Sequence, residues 1–270
     1  MRSLKVVAFA GAAALMTSSA ALAADMPPIM HPPAPIVEEF GGWYLRGDIG
    51  MTNQSVRRLD NVLFATTTVT DLGKGFDSSP FFGIGIGYKY NSWLRFDVTG
   101  EYRAKSTFRG LDRYVDAALP TGFGVNDYYG SKHEWVALAN VYFDLGTWYG
   151  VTPFVGAGVG VSHNVISNFR DVNMATGGVA FGDSAGTWNL AWAVHAGLAY
   201  RVSNAFTVEL AYRYLHLGNA RSGDLVAFDG TNTVFNPMHF RGIDSHDMKL
   251  GVRWNFDAPA PYLPPLMTKG

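Results

Sequence analysis

Between about residue 42 and residue 256 the chain is built from runs of roughly ten residues in which apolar and polar positions alternate. A strand turns successive side chains to opposite faces, so each run predicts a strand with one greasy and one polar side. Eight such runs are legible: Gly42–Met51, Pro80–Tyr90, Trp93–Arg103, His133–Asp144, Pro153–His163, Thr187–Val202, Ala205–Leu215 and His246–Phe256. The connections alternate in length. Asn91-Ser92, Leu145–Thr152 and Ser203-Asn204 are short, whereas Thr52–Ser79, Ala104–Lys132, Asn164–Gly186 and His216–Ser245 are long. Short turns on one rim and long loops on the other predict an all-β, closed, eight-stranded antiparallel up-and-down barrel.

The faces decide what surrounds such a barrel. Trp43, Phe82, Tyr88, Tyr90, Phe96, Tyr102, Trp135, Phe143, Trp188, Trp192, Tyr200, Phe206, Tyr212, Tyr214, Trp254 and Phe256 all fall on the apolar side. An eight-stranded barrel encloses little beyond its own side chains or one small ligand. These rings therefore point outward, and an outward belt of that size needs lipid rather than water. A soluble ligand-carrying barrel, with its apolar face inside, is the rival that this volume argument disfavours. Threaded up and down, the rings sort into two girdles, one at each membrane interface.

The opposite face carries Arg46, Asp48, Arg95, Asp97, Glu101, Arg103, Glu134, Asp144, Glu209, Arg213, Asp247, Lys249 and Arg253. On the lipid side near the membrane centre an Arg or Lys would cost about 2–4 kcal/mol. Inside, opposite signs can pair, which predicts a salt-bridge network in the lumen rather than a single-sign channel. Gly83, Gly85 and Gly87 share that inner face, where they are expected to make room for the arms of Arg46, Arg95 and Arg103. Gly156, Gly158 and Gly160, with Ala191, Ala193, Gly197 and Ala199, form a second small-residue wall. Steric relief in a narrow barrel accounts for it; a thin water path is the functional alternative.

Composition and the two ends refine the picture. Residues 1–23 have the form of a secretory signal: Arg2 and Lys5, an apolar core over Val6 to Met16, and Ala21-Leu22-Ala23 with cleavage expected after Ala23. The apolar core is shorter than the roughly 20 residues a spanning helix needs. Residues 24–41 read as a proline-rich periplasmic tether, residues 42–256 as the barrel and residues 257–270 as a proline-rich tail. The 21 Lys+Arg and 22 Asp+Glu fall to 19 against 22 once Arg2 and Lys5 are removed. That balance, with no basic run, gives no reason to expect nucleic acid. With 0 cysteines, disulfides and thiolate metal sites are excluded.

The last run, HDMKLGVRWNF, resembles the C-terminal insertion signal of Gram-negative outer-membrane barrels through Lys249, Gly251, Trp254 and Phe256. That resemblance implies handling by barrel-assembly machinery. ELAYRY at Glu209–Tyr214, GVRWNF at the end and GGWYLRGDIG at the start resemble strands seven, eight and one of the small alphaproteobacterial surface antigens. These are the opacity-protein or porin-like family, related to the OmpA-like transmembrane domain. Members of that group commonly finish at the terminal aromatic, whereas residues 257–270 follow Phe256 here. The resemblance implies a cell-outer-membrane barrel in contact with membrane lipid and lipopolysaccharide, sometimes with weak pore activity or adhesive loops.

No catalytic, cofactor or metal residues are expected. His216-Leu217-Gly218-Asn219 is similar to the His-x-Ser-Asn of the lipid A deacylases, but Gly218 offers no hydroxyl to acylate. Asp97 and Glu101 lie about 13 Å apart along one strand, too far for a carboxylate pair. His195 is expected to hydrogen-bond a neighbour such as Asn189 or an acidic group. The reading is a non-enzymatic outer-membrane barrel for envelope integrity and surface presentation. A narrow solute channel, or an adhesin using loop aromatics Phe108, Tyr114, Phe123, Tyr128 and Tyr129 on a host or surface ligand, are its alternatives.

Overall fold

The computed structural model describes residues 41–256. The expected signal peptide with Ala23, residues 24–40 of the N-terminal tether and the proline-rich tail lie outside the described residues. The strands are β1 (Gly42–Asp60), β2 (Val69–Phe76), β3 (Ser79–Lys89), β4 (Leu94–Val115), β5 (Phe123–Asp144) and β6 (Val151–Asn173). They continue with β7 (Val179–Gly182), β8 (Ala185–Arg201), β9 (Phe206–Arg221), β10 (Leu225–Ala227) and β11 (His239–Asn255). Among the described residues one 3₁₀ turn, Val62–Thr66, is capped by Asn61, whose side chain accepts from the Leu63 N–H.

Eight of these strands close on themselves. The antiparallel pairings run β1–β3–β4–β5–β6–β8–β9–β11 and return from β11 to β1. Closure removes both sheet edges, which is what lets a sheet stand in a bilayer with every backbone donor paired. The sequence alternation sets the faces. Of the sixteen rings expected outside, fifteen are exposed, among them Trp188 at 70%; Tyr214 is half-buried. Cross-strand register brings Phe82, Tyr102, Trp135, His163 and Trp188 into one lateral row over five strands. Trp43, Tyr88 and Phe96 start a second row at the short-turn end. This orientation is the reverse of a soluble ligand-carrying barrel.

The long connections differ from expectation. Much of their length is upward continuation of the walls rather than loop: β1, β4, β5 and β6 each run well past their expected ends. β2, β7 and β10 are added outside the ring by pairing to β4, β6 and β7. The alternation changes phase at irregularities between Arg103 and Ser106, at Tyr129/Ser131 and near Phe240–Asp244. Gly218 (φ 75°), Gly242 (φ 64°) and Asn168 (φ 52°) take left-handed backbone there, which glycine and asparagine tolerate best. Above these bulges the barrel interior turns apolar. Val56, Phe76, Phe108, Ile166, Phe169, Leu217, Leu225, Phe240 and Ile243 pack as one buried cluster. Phe108 and Tyr128, expected as exposed binding aromatics, belong to it, and Tyr114 accepts a hydrogen bond from Asn173. Of the five loop aromatics only Phe123 and Tyr129 are exposed.

Candidate functional site: the filled lumen

All thirteen charged residues expected inside are buried. They pair in two layers. In the lower layer Arg46 on β1 donates from Nη1 to Asp97 Oδ2 (2.7 Å) and from Nη2 to Asp48 Oδ1 (2.9 Å) and Glu209 Oε2 (3.2 Å). Glu209 also faces Arg253 (2.8 Å) and Arg95 (3.2 Å), while Lys249 lies 3.5 Å from Asp48. Arg95 is 3.1 Å from Asp144, and its guanidinium lies over the Tyr142 ring at 4.2 Å and the Phe154 ring at 4.7 Å.

In the upper layer Arg213 donates in bidentate fashion to both Glu101 oxygens at 2.6 Å and to Asp247 at 2.7 Å. Arg103 donates to Asp247 at 2.8 and 2.7 Å, to Glu134 at 2.8 Å and to the Ser245 hydroxyl at 2.7 Å. Both guanidiniums lie over Phe81, at 5.1 and 5.3 Å. Lys132 bonds Glu134 and Gln54. Seven cations (Arg46, Arg95, Arg103, Lys132, Arg213, Lys249, Arg253) therefore meet seven carboxylates (Asp48, Asp97, Glu101, Glu134, Asp144, Glu209, Asp247). A balanced set of opposite charges in ion-pair contact compensates buried charge without selecting ions of one sign.

Sequence reasoning missed several lumen residues. Lys132 sat in a segment expected to be a loop. Tyr44, Phe81, Tyr142 and Phe154 are aromatics on the polar face, visible only by following the strand phase. The inner glycines have particular neighbours. A Cβ at Gly85 would stand 3.0 Å from Arg46 Cγ, at Gly83 2.9 Å from Glu101 Cγ, and at Gly87 against the Tyr44 ring. Arg46 uses this room as expected; Tyr44 and Glu101 take the rest, whereas Arg95 and Arg103 lie elsewhere, against Tyr142 and Phe81. A Cβ at Gly156 would meet Tyr142 Cδ1 at 2.5 Å, and one at Gly158 would meet Asn140 Oδ1. The small-residue wall is thus covered by its own neighbours. His195 pairs with Asn140 (3.2 Å), not with Asn189 or an acid; Asn189 instead holds Asn219.

The four residues with the insertion pattern divide by face. Lys249 and Gly251 are buried inside, and Trp254 and Phe256 are exposed outside with ring centroids 5.1 Å apart. Gly251 has a local reason to be glycine, since a Cβ there would collide with Asp48 Oδ1. His216 binds Asp244 through Nδ1 at 2.6 Å and stacks on Trp192. Ser222, the nearest hydroxyl in sequence, is buried; its Oγ donates to the Gly223 carbonyl and accepts from the Met238 N–H.

A closed ring, lipid-ready rings outside and paired charge inside match what comparison with known sequences finds. The chain belongs to the outer membrane protein beta-barrel domain family. The family model matches residues 10–256. An uncharacterized protein of Brucella abortus (strain 2308) is 29% identical over 287 residues, spanning 90% of this chain and 95% of its own. Outer membrane protein PagN of Salmonella typhimurium is 25% identical over 233 residues, spanning 80% and 90%. Among solved structures, the outer membrane protein OprG from Pseudomonas aeruginosa is similar at 11% identity and a TM-score of 0.44, over 81% of this chain and 97% of that one. The protein is an outer-membrane β-barrel, and β2, β7, β10 and the extended walls stand on the side opposite the short turns.

Proposed function

We propose that this barrel is a non-enzymatic integral protein that supports the outer membrane and presents its extended outer sheet at the cell surface, without conducting solutes. The observation that carries this is the doubly filled lumen: two ionic layers lie under an apolar cluster, and both are made of the barrel's own side chains. Solute passage would require breaking buried ion pairs as well as parting packed rings, each costly. A non-enzymatic role is supported by Gly218 in place of a nucleophile and by a Ser222 hydroxyl already bonded. In this reading residues 1–23 direct export, and Trp254 and Phe256 engage the assembly machinery before the strand closes on β1.

Planar-bilayer recording of the purified protein tests it. No discrete conductance is expected; steady channel events that Gly158→Trp abolishes would replace this reading with a narrow pore along the β6 wall. Carbonate extraction provides a second check, because release into the soluble fraction contradicts integral insertion.

A further inference from the structure

Above the upper aromatic row, the outer wall carries a second lateral row of different chemistry. Cross-strand register places Arg109 on β4 opposite Tyr129 on β5, Tyr129 opposite Arg170 on β6, and Arg170 opposite Phe181 on β7. Directly paired residues share a face. Their buried neighbours Phe108, Tyr128 and Phe169 fill the interior, so this row points out, and all four of its side chains are exposed. The row thus alternates cation, ring, cation, ring over four adjacent strands. Neither arginine has a carboxylate partner among the described residues, and the Arg170 guanidinium lies 5.9 Å from the Tyr129 ring centroid.

The wall is also carved. At the β5–β6 register shift Asn168 adopts left-handed backbone, and the displaced chain leaves an open groove of about 470 Å³ lined by Tyr129, Asn168, Arg170 and Phe181. Exposed flat rings beside a groove suit the apolar faces of sugar rings, with the Asn168 amide available to hydroxyls. Guanidinium forks suit phosphate or carboxylate, which they bind in planar, two-pronged geometry.

Position selects the source of that ligand. Tyr129 stands about 20 Å along its strand beyond Trp135 of the upper girdle, clear of the bilayer. The row is on the side wall, beneath the β4–β5 turn at 116–122 and the β6–β7 turn at 174–178. A large ligand arriving from outside meets those turns first. A glycolipid of the same leaflet stands alongside the wall at high local concentration, which favours occupancy without strong intrinsic affinity.

We propose that the Arg109–Tyr129–Arg170–Phe181 row binds the phosphorylated core oligosaccharide of neighbouring lipopolysaccharide, the arginines taking phosphate and the rings stacking on sugar. The proposal rests on the outer-membrane placement and is independent of whether the lumen conducts.

The test measures phenylglyoxal modification of single arginines by mass spectrometry, on the full chain in vesicles of three kinds. These contain lipopolysaccharide with a phosphorylated core, lipopolysaccharide truncated before the core phosphates, or phosphatidylglycerol alone. Arg58 on β1 and Arg221 on β9, exposed on another wall, serve as references. Modification of Arg109 and Arg170 should slow at least fivefold with the phosphorylated core only, and the references should change less than twofold. A Tyr129→Ala, Phe181→Ala double variant that keeps its heat-dependent gel mobility should lose most of that protection. Equal rates in all three vesicles overturn the proposal, and so does equal slowing of all four arginines, which would mean crowding by the sugar layer. Protection by a free sulfated glycan in detergent, but not by phosphorylated lipopolysaccharide in vesicles, overturns it in favour of an external ligand.

Discussion

Two kinds of buried charge divide this molecule at the level of single residues. In the lumen, Arg213 meets Glu101 and Asp247, and each of those carboxylates also faces Arg103. Removing one partner strands an ion the fold has already desolvated. Arg213→Leu should therefore destabilise the barrel by about 3–5 kcal/mol, against less than about 0.5 kcal/mol for Arg58→Leu at the exposed rim. Urea unfolding from lipid vesicles, followed by tryptophan fluorescence, measures both; equal losses would show that the lumen pairs contribute no more than surface ones. Outside the membrane the situation is reversed. Asp171 lies beside Asp112 and Asp127 with no paired cation among the described residues, and burial followed by those two neighbours pushes its carboxyl up to about 7. Burial also raises Asp112, although Tyr128 and Asn126 donate hydrogen bonds to it. An acid whose folded pKa exceeds its unfolded value of about 3.9 takes up a proton on folding. Stability is then fully present below about pH 4, falls as pH rises towards 7, and levels off above it. Asp171 alone can contribute up to about 4 kcal/mol to that slope. Thermal unfolding of the outer sheet by near-ultraviolet circular dichroism should show a lower midpoint at pH 8 than at pH 5, and Asp171→Asn should flatten the difference. An unchanged slope in the variant assigns the titration to other groups.

Strands and their extensions show what an alternating sequence can and cannot disclose. The eight membrane segments were legible because lipid demands a greasy outer face while the lumen demands a polar or small one, and a two-residue period satisfies both. Above the girdle the demand changes. Water bathes the outside, the interior becomes apolar, and the bulges near Arg103, Asn168 and Gly218 shift the phase, so Phe108 and Tyr128 look like stray loop aromatics. The charged lumen residues could be assigned to a face from sequence, but not their pairing. Arg46 reaches Glu209 across 163 residues only because of how the closed ring staggers its strands. The outer core has one centre. Phe240 on β11 contacts Phe76, Phe108 and Phe169 at ring separations of 6.2, 4.8 and 5.8 Å. Phe240→Ala should cost the outer sheet about 3–5 kcal/mol while leaving the girdled barrel intact. Limited proteolysis in vesicles should then cut within 224–238, leaving a protected membrane fragment; a variant that fails to insert at all would show that the outer core and the barrel fold as one unit. The same packing means that deleting 106–127 removes core rings as well as a tip, so loss of a surface activity in that deletion would not locate a binding site.

At the scale of the whole molecule, two barriers of different chemistry stand in series along the barrel axis. The apolar cluster excludes ions by offering them no partners, and the ionic layers beneath it exclude solutes by setting every charge beside an opposite one already in place. Barriers in series set a combined resistance, so weakening one leaves the other limiting. Phe108→Ala, Phe169→Ala and Phe240→Ala together should therefore produce no conductance in planar bilayers, although they loosen the outer sheet. Thinning the upper ionic layer alone, with Arg103→Ser and Asp247→Ser, should also leave the barrel silent, because the lower layer and the rings above still close. Only the ring variants combined with thinning of both ionic layers, by Arg103→Ser and Asp247→Ser above and Arg46→Ser and Glu209→Ser below, should open a path, and because cations and carboxylates are removed in equal number that path should discriminate weakly between potassium and chloride. Conductance from the ring variants alone would show that the lower layers already admit ions, placing the single closing element of this protein in the sheet it raises above the membrane.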